Sequence, residues 1–179
     1  MLEKQTRSRV ALLGALLILL LFAGSFLLPE IVSTYWHLRF GDSTTFRGWR
    51  IPVPRGWYAM THNDQLIIQK TTRFYDGEDA PTISPVILSP GKPVDPERVK
   101  QASIQVISKK GYAFQQERPL QIGTDPGYCL HFTAGKDQKN IRISCDSLSA
   151  HLSLDYFGPS SEIQTFYSVA SQIRREDTH

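Results

Sequence analysis

The stretch from Val10 to Leu28, VALLGALLILLLFAGSFLL, contains no charged residue. At about 1.5 Å of rise per residue, a helix of this length covers roughly 28 Å, close to the hydrocarbon thickness of a bilayer. A chain that carries such a run is expected to reside in a membrane. Lys4, Arg7 and Arg9 precede the run, and the next Lys or Arg is Arg39. That asymmetry places residues 1–9 in the cytoplasm and everything after Leu28 across the membrane, in the periplasm if the source is bacterial. The expected organisation is a cytoplasmic tail (1–9), a transmembrane helix (10–28), a juxtamembrane segment (29–45) and an extracytoplasmic domain (46–179).

A cleaved signal peptide shares the basic flank and the apolar core, and Ala23-Gly24-Ser25 offers a small-residue cleavage site. The apolar residues continue through Phe26, Leu27 and Leu28, longer than a signal core needs, which favours a retained single-pass signal-anchor. No Cys lies near Gly24 or Ser25, so a lipid-modified N-terminus has no support. Ala11, Gly14 and Ala15 form a small-residue patch that reads as ordinary usage in an apolar helix. Tyr35 and Trp36 fit an interfacial aromatic belt. Pro29 is expected to kink the helix or to start a second short one reaching about Leu38, with Gly41 as its stop.

Removing the first 29 residues leaves 150, enough for one domain with its own core. Three of the 20 Lys and Arg and one of the 17 Asp and Glu lie in the removed part, so 17 basic residues face 16 acidic ones. The exported part is nearly neutral, and no nucleic-acid footprint is visible.

Within it, Phe46 to Val53 alternates as a strand, and Pro52 and Pro54 mark a strand end or edge. Trp57 to Met60 and Leu66 to Thr72 read as a hairpin around His62-Asn63-Asp64, and Thr82 to Leu88 as a further strand. Asp95 is a good N-cap for a helix from Pro96 to Lys110, with Val99, Ala102, Val106 and Ile107 on one face and Gly111 as terminator. Strands are expected at Tyr112 to Gln116 and Leu120 to Gly123, then a turn at Asp125-Pro126-Gly127, and another strand at His151 to Phe157. Ser161 and Gln164 suit a capping box for a last helix bearing Ile163, Phe166, Tyr167, Ala170 and Ile173, with Arg174 and Arg175 at its cation-favouring end.

Cys129 and Cys145, the only two cysteines, flank a hairpin of Tyr128 to Thr133 and Ile141 to Asp146 in a compartment where disulfides persist. Pairing Leu130 with Ile143 and Phe132 with Ile141 makes the better apolar face, but it sets Cys129 opposite Ser144 and turns the thiols apart. A register one residue different, or a bulge, brings them opposite each other. Compartment and pattern therefore point in opposite directions.

Strands in runs with two soluble helices indicate an α+β domain, an antiparallel β-sheet packed by helices. The order resembles the PsbP, Mog1 and DcrB group over about residues 46–175: a strand leading into Ile51-Pro52-Val53-Pro54-Arg55-Gly56-Trp57, a mid-chain helix ending at Gly111-Tyr112, and a final amphipathic helix after a strand. The resemblance implies an α/β/α sandwich and a largely non-enzymatic membership of accessory subunits of photosynthetic complexes and envelope proteins. A transmembrane anchor in place of a lipobox or transit peptide departs from that group.

No catalytic motif assembles. Gly-x-Ser-x-Gly and His-Glu-x-x-His are missing, and Ser89-Pro90-Gly91-Lys92 lacks phosphate-loop spacing. His131 and His151 fall on expected strands but have no carboxylate at a matching offset, so ordinary partly buried histidines are expected. Asp76, Glu78 and Asp79 form an acidic loop without EF-hand spacing. Tyr35, Trp36, Trp49, Trp57 and Tyr58 are the candidates for an interaction surface, although aromatics near strand ends more often belong to a core. No catalytic residue, metal or cofactor is expected. The expected partners are the lipid bilayer and other subunits of a membrane complex; a small-ligand-binding or sensory envelope domain is the alternative.

Overall fold

The computed structural model describes residues 2–71, 80–88, 95–134 and 140–176, with side chains except at 2–12, 25, 26 and 134. The acidic loop at Asp76, Glu78 and Asp79 and the Pro-rich turn at 89–93 lie outside the described residues. A long helix, α1 (Leu2–Phe40), opens the chain. Its two halves, Leu13–Gly24 and Leu27–Phe40, meet at a 50° bend. Pro29 has no N–H for the carbonyl four residues back, and its ring crowds that carbonyl, so the bend falls one turn before it. The helix does not restart at Pro29 but runs on to Phe40, where Gly41 at φ +81° ends it and donates its N–H to His37 O at 2.9 Å.

The expected single strand from Phe46 to Val53 is instead a tight hairpin of β1 (Ser43–Phe46) and β2 (Trp49–Pro52). Arg47 and Gly48 both take positive φ, which a two-residue hairpin turn requires. Because β1 starts at Ser43, the ordered domain reaches back into the segment assigned to the membrane neck. Next come β3 (Trp57–His62), β4 (Gln65–Lys70), β5 (Thr82–Ile87), α2 (Pro96–Lys109), β6 (Tyr112–Ile122), β7 (Asp125–Ala134), β8 (Asn140–Ser147) and β9 (Leu152–Pro159). A 3₁₀ turn at Ser160–Glu162 leads into α3 (Ile163–Gln172), and the two-residue β10 (Arg174–Arg175) follows.

Seven strands form one sheet in the order β3-β4-β5-β9-β8-β7-β6, antiparallel throughout. The chain leaves the sheet after β5, runs through α2 to the far edge, and returns by a meander of hairpins until β9 pairs with β5. A second small sheet has the order β1-β2-β10. The main core lies on one face of the large sheet. Ile68, Ile83, Ile143, Leu152, Leu154 and Tyr156 meet Trp36 from α1, Trp49 and Ile51 from β2, and Phe166, Val169 and Ala170 from α3. The other face carries a smaller cluster in which Ile107 of α2 covers Leu130 and Phe132. Helices thus cover both faces, the α+β sandwich expected from the sequence.

Several local expectations are corrected. β6 is one strand of 11 residues with a bulge between Phe114 and Gln116, in place of two short strands. As the sheet edge, it tolerates Pro119. Asp125-Pro126-Gly127 does not form a turn but opens β7, and the reversal occurs at Gly123-Thr124 with Gly123 at φ +62°. α2 has the expected N-cap, Asp95 Oδ1 accepting from Glu97 N at 3.0 Å. Its buried face, however, runs through Ile104 and Ile107, while Ala102 and Val106 are exposed. No capping box forms at Ser161 and Gln164, because the 3₁₀ turn takes that position and no side chain caps α3. Arg174 and Arg175 do not extend the helix dipole. Ile173 is extended, and the pair lies alongside Arg50 and Trp49 of β2.

Cys129 and Cys145 are bonded to each other across β7 and β8. The register is the alternative one: Cys129 faces Cys145, Leu130 faces Ser144, and Phe132 faces Arg142, not Ile141. Both cysteines are fully buried in the main core. With a sequence separation of 16 between the ends of the bridge, the Cys129→Ala/Cys145→Ala double variant should lose about 3 kcal/mol of unfolding free energy, as chain-entropy closure predicts. Intact mass before and after alkylation of the denatured, non-reduced chain should show no labelled thiol; two labelled thiols would refute the bridge.

Candidate functional site

The most developed constellation is the seam where the second half of α1 docks on the domain. Ser33, Trp36 and His37 share one helix face through i, i+3 and i+4 spacing. The Ser33 hydroxyl donates to Trp57 O at 3.1 Å and accepts from Gly56 N at 3.0 Å, tying α1 to the turn before β3. One turn later, Trp36 Nε1 donates to Ala59 O at 2.9 Å. His37 places Nδ1 3.0 Å from Asp42 Oδ1 and Nε2 3.1 Å from Pro54 O. The helix end is thereby held to the chain on both sides of the β1–β2 hairpin. Ser33 and Trp36 are buried, so these bonds form out of water, where a lost partner costs most.

Of the five aromatic candidates for an interaction surface, three lie in the core. Trp36, Trp49 and Trp57 are 8%, 6% and 1% exposed. Trp36 therefore does not belong to an interfacial belt; its indole lies under the domain. Tyr58 is half-buried with its hydroxyl donating to Gln69 Oε1 at 3.2 Å. Tyr35 alone is fully exposed, at 63%. Sequence reasoning missed Ser33 and His37, although two polar side chains one turn apart beside a Trp are a signal for a docked helix face.

His131 and His151 do not meet. His151 sits in the β8–β9 turn with φ +52°, five residues along from Tyr156, which aligns with His131 through Ile143. His131 is buried, and its Nε2 is 2.7 Å from the Tyr167 hydroxyl of α3. Burial, helped by Arg118, lowers its pKa from the ordinary 6.5, and burial raises that of Tyr167. The pair fastens α3 to the sheet. Among the described residues no group of three or more His, Cys, Asp or Glu is placed to hold a metal.

On the opposite face, Lys100 of α2 bonds Glu97 at 2.9 Å and Glu117 at 2.6 Å and lies 4.7 Å from the centre of the Tyr128 ring. Arg142 and Asp155 pair at 3.0 Å, and burial raises the pKa of Asp146 against the Ser153 hydroxyl beside it. An open, shallow surface along α2 is lined by Glu97, Arg98, Gln101, Ala102, Ile104 and Gln105, most of them exposed. These side chains can bind, but they present no nucleophile with a base.

No single straight helix among the described residues is long and apolar enough to cross a membrane; the two halves of α1 reach that length and hydropathy only together.

No family model matches the sequence, and no curated protein matches it. Among solved structures, the chain is similar to the cyanobacterial PsbP (CyanoP) of Synechocystis sp. PCC 6803, with a TM-score of 0.52 and 10% identity over 74% of this chain and 89% of that one. At that identity the likeness shows the fold alone: the chain has a PsbP-like fold, with helices on both faces of an antiparallel sheet.

Proposed function

We propose that this chain is a single-pass, signal-anchored accessory or assembly subunit. Its domain sits outside the cytoplasm and acts by contact, without catalysis, beside a larger membrane complex. One observation carries the reading. The same helix buries Ser33 and Trp36 in the domain and leaves Leu13 and Leu16 to Leu21 more than half exposed. An apolar surface of that extent needs lipid or protein around it, and the seam at Ser33 and Trp36 ties the second half of the same helix to the domain. The basic flank of Lys4, Arg7 and Arg9 supports a cytoplasmic N-terminus. The PsbP-like fold is compatible with a role as an accessory subunit.

Extraction from native membranes in mild detergent should yield the chain with stoichiometric partner subunits. A monodisperse monomer without a copurifying protein would overturn the reading. The alternative is a small-ligand-binding or sensory envelope domain; in that case a ligand screen would raise the thermal midpoint of the purified monomer in proportion to log concentration.

A further inference from the structure

The second half of α1 has two faces, and the domain covers only one. Leu27, Leu28, Ile31, Tyr35 and Leu38 are all more than half exposed. At about 100° per residue they fall within an arc of roughly 100°, whereas Ser33 and Trp36 point to the other side, into the domain. Exposed Glu30 and Thr34 flank the arc on one edge and Arg39 on the other. A surface helix of a globular domain buries its apolar arc and turns its polar side outward. This one buries a face of Ser, Trp and His and presents the aliphatic arc away from the domain.

From this arrangement, and resting on the reading that the chain crosses a membrane, we infer that Leu27–Phe40 is an interfacial helix. Its Leu27-Leu28-Ile31-Tyr35-Leu38 stripe is embedded in the lipid surface, and the domain is seated on its back. Continuity of the apolar surface supports it. The uncharged run from Val10 does not stop at the bend: Leu27, Leu28 and Ile31 follow it directly and are all more than half exposed, so the surface that meets lipid continues into the second half of α1. The 50° bend turns the second half away from the axis of the first; taken in the same direction as an ordinary helix tilt of about 20°, it lays that half within about 20° of the membrane plane. Tyr35 then lies at headgroup depth, where its ring and hydroxyl are both satisfied, and Arg39 at the edge of the stripe can reach lipid phosphate. The domain is thereby held at a fixed height and angle against the outer leaflet, which a flexible neck could not do.

Single cysteines placed in the full chain at Leu17, Ile31, Tyr35, Leu38, Glu30 and Thr34 and labelled with bimane without reductant test this in nanodiscs of phosphatidylcholine and phosphatidylglycerol. Labels at Leu17, Ile31, Tyr35 and Leu38 should be quenched several-fold more by acyl-chain doxyl lipid than those at Glu30 and Thr34. Stripe labels reached by an aqueous nickel chelate, or shielded from both quenchers by a second copy, would overturn the interfacial helix while Leu17 remained lipid-quenched. Exposure of Leu17 to the chelate would overturn the membrane span itself, and the stripe with it.

Discussion

Trp36→Ala should lower the unfolding free energy of the full chain in detergent micelles by about 3 to 5 kcal/mol. The indole is 8% exposed and packs in the main core with Trp57 and the strands of the large sheet. Its removal leaves a cavity at the seam and strips Ala59 O of the 2.9 Å bond from Nε1. Set against a typical domain stability of about 5 to 15 kcal/mol, that loss is a large share. Trp36→Phe keeps most of the packing but loses the donor, and should cost about 1 to 3 kcal/mol. Tyr35→Ala, one residue away and 63% exposed, should stay within about 0.5 kcal/mol in micelles. Chemical denaturation followed by tryptophan fluorescence ranks the three. If Tyr35→Ala proved as costly as Trp36→Ala, the assignment of the docked and free faces of α1 would be wrong. Amide exchange should also accelerate over Ser33–Phe40 in Trp36→Ala, since the second half of the helix is held to the domain chiefly by that face.

The contrast between Tyr35 and Trp36 illustrates what the sequence conceals. Two adjacent aromatics after an apolar run fit an interfacial belt, because protein interior and lipid are equally apolar and hydropathy cannot separate them. Only the 100° step between neighbours sends one ring into the domain and the other out. A related degeneracy hid the cysteine register. β7 is buried on both faces, with Leu130 and Phe132 toward α2 and Cys129 and His131 toward the main core. Alternation then carries no preference between registers, and the apolar pairing of Leu130 with Ile143 was no guide. α2 follows the same logic in reverse: Lys100 lies along its packed side, its charge answered by Glu97 and Glu117, so of the apolar stripe read from Val99, Ala102, Val106 and Ile107 only Ile107 is buried, and the true stripe is rotated toward Ile104.

Elements with local punctuation were legible. Asp95-Pro96 capped α2, Asn63-Asp64 turned the β3–β4 hairpin, and the spacing of Phe166, Ala170 and Ile173 placed α3 against the sheet. Arg174 and Arg175 were not, since a two-residue strand exists only by virtue of its partner β2. The seam itself is a tertiary product of the same kind. Ser33 makes sense only when Gly56 N and Trp57 O, more than twenty residues later, arrive beside it.

Deletion of residues 161–179 should abolish cooperative unfolding of the domain. Phe166, Val169, Ala170 and Ile173 are all at most 2% exposed. At about 1.5 to 3 kcal/mol for each large apolar side chain, Phe166, Val169 and Ile173 together are comparable to the whole stability of a typical domain. The deletion removes more than packing. Gly123 N donates to Ala170 O at 2.8 Å, and a Cβ at Gly123 would lie 2.2 Å from Ile173 O, so the β6–β7 turn is shaped around the end of α3. Arg174 and Arg175 complete the small sheet beside β2, and Glu176 N donates to Gly48 O at 2.9 Å in the hairpin turn. Lys70 loses Glu162, and His131 loses the Tyr167 hydroxyl and becomes an uncovered polar group on an apolar face. The truncated chain should therefore show a broad thermal transition and weakened near-ultraviolet circular dichroism. Phe166→Ala, which leaves every backbone contact in place, should fold and lose about 3 to 5 kcal/mol. An unchanged thermal midpoint after truncation would mean that α3 is an appendage to the sheet, and the α/β/α core would have to be redrawn with α1 alone on that face.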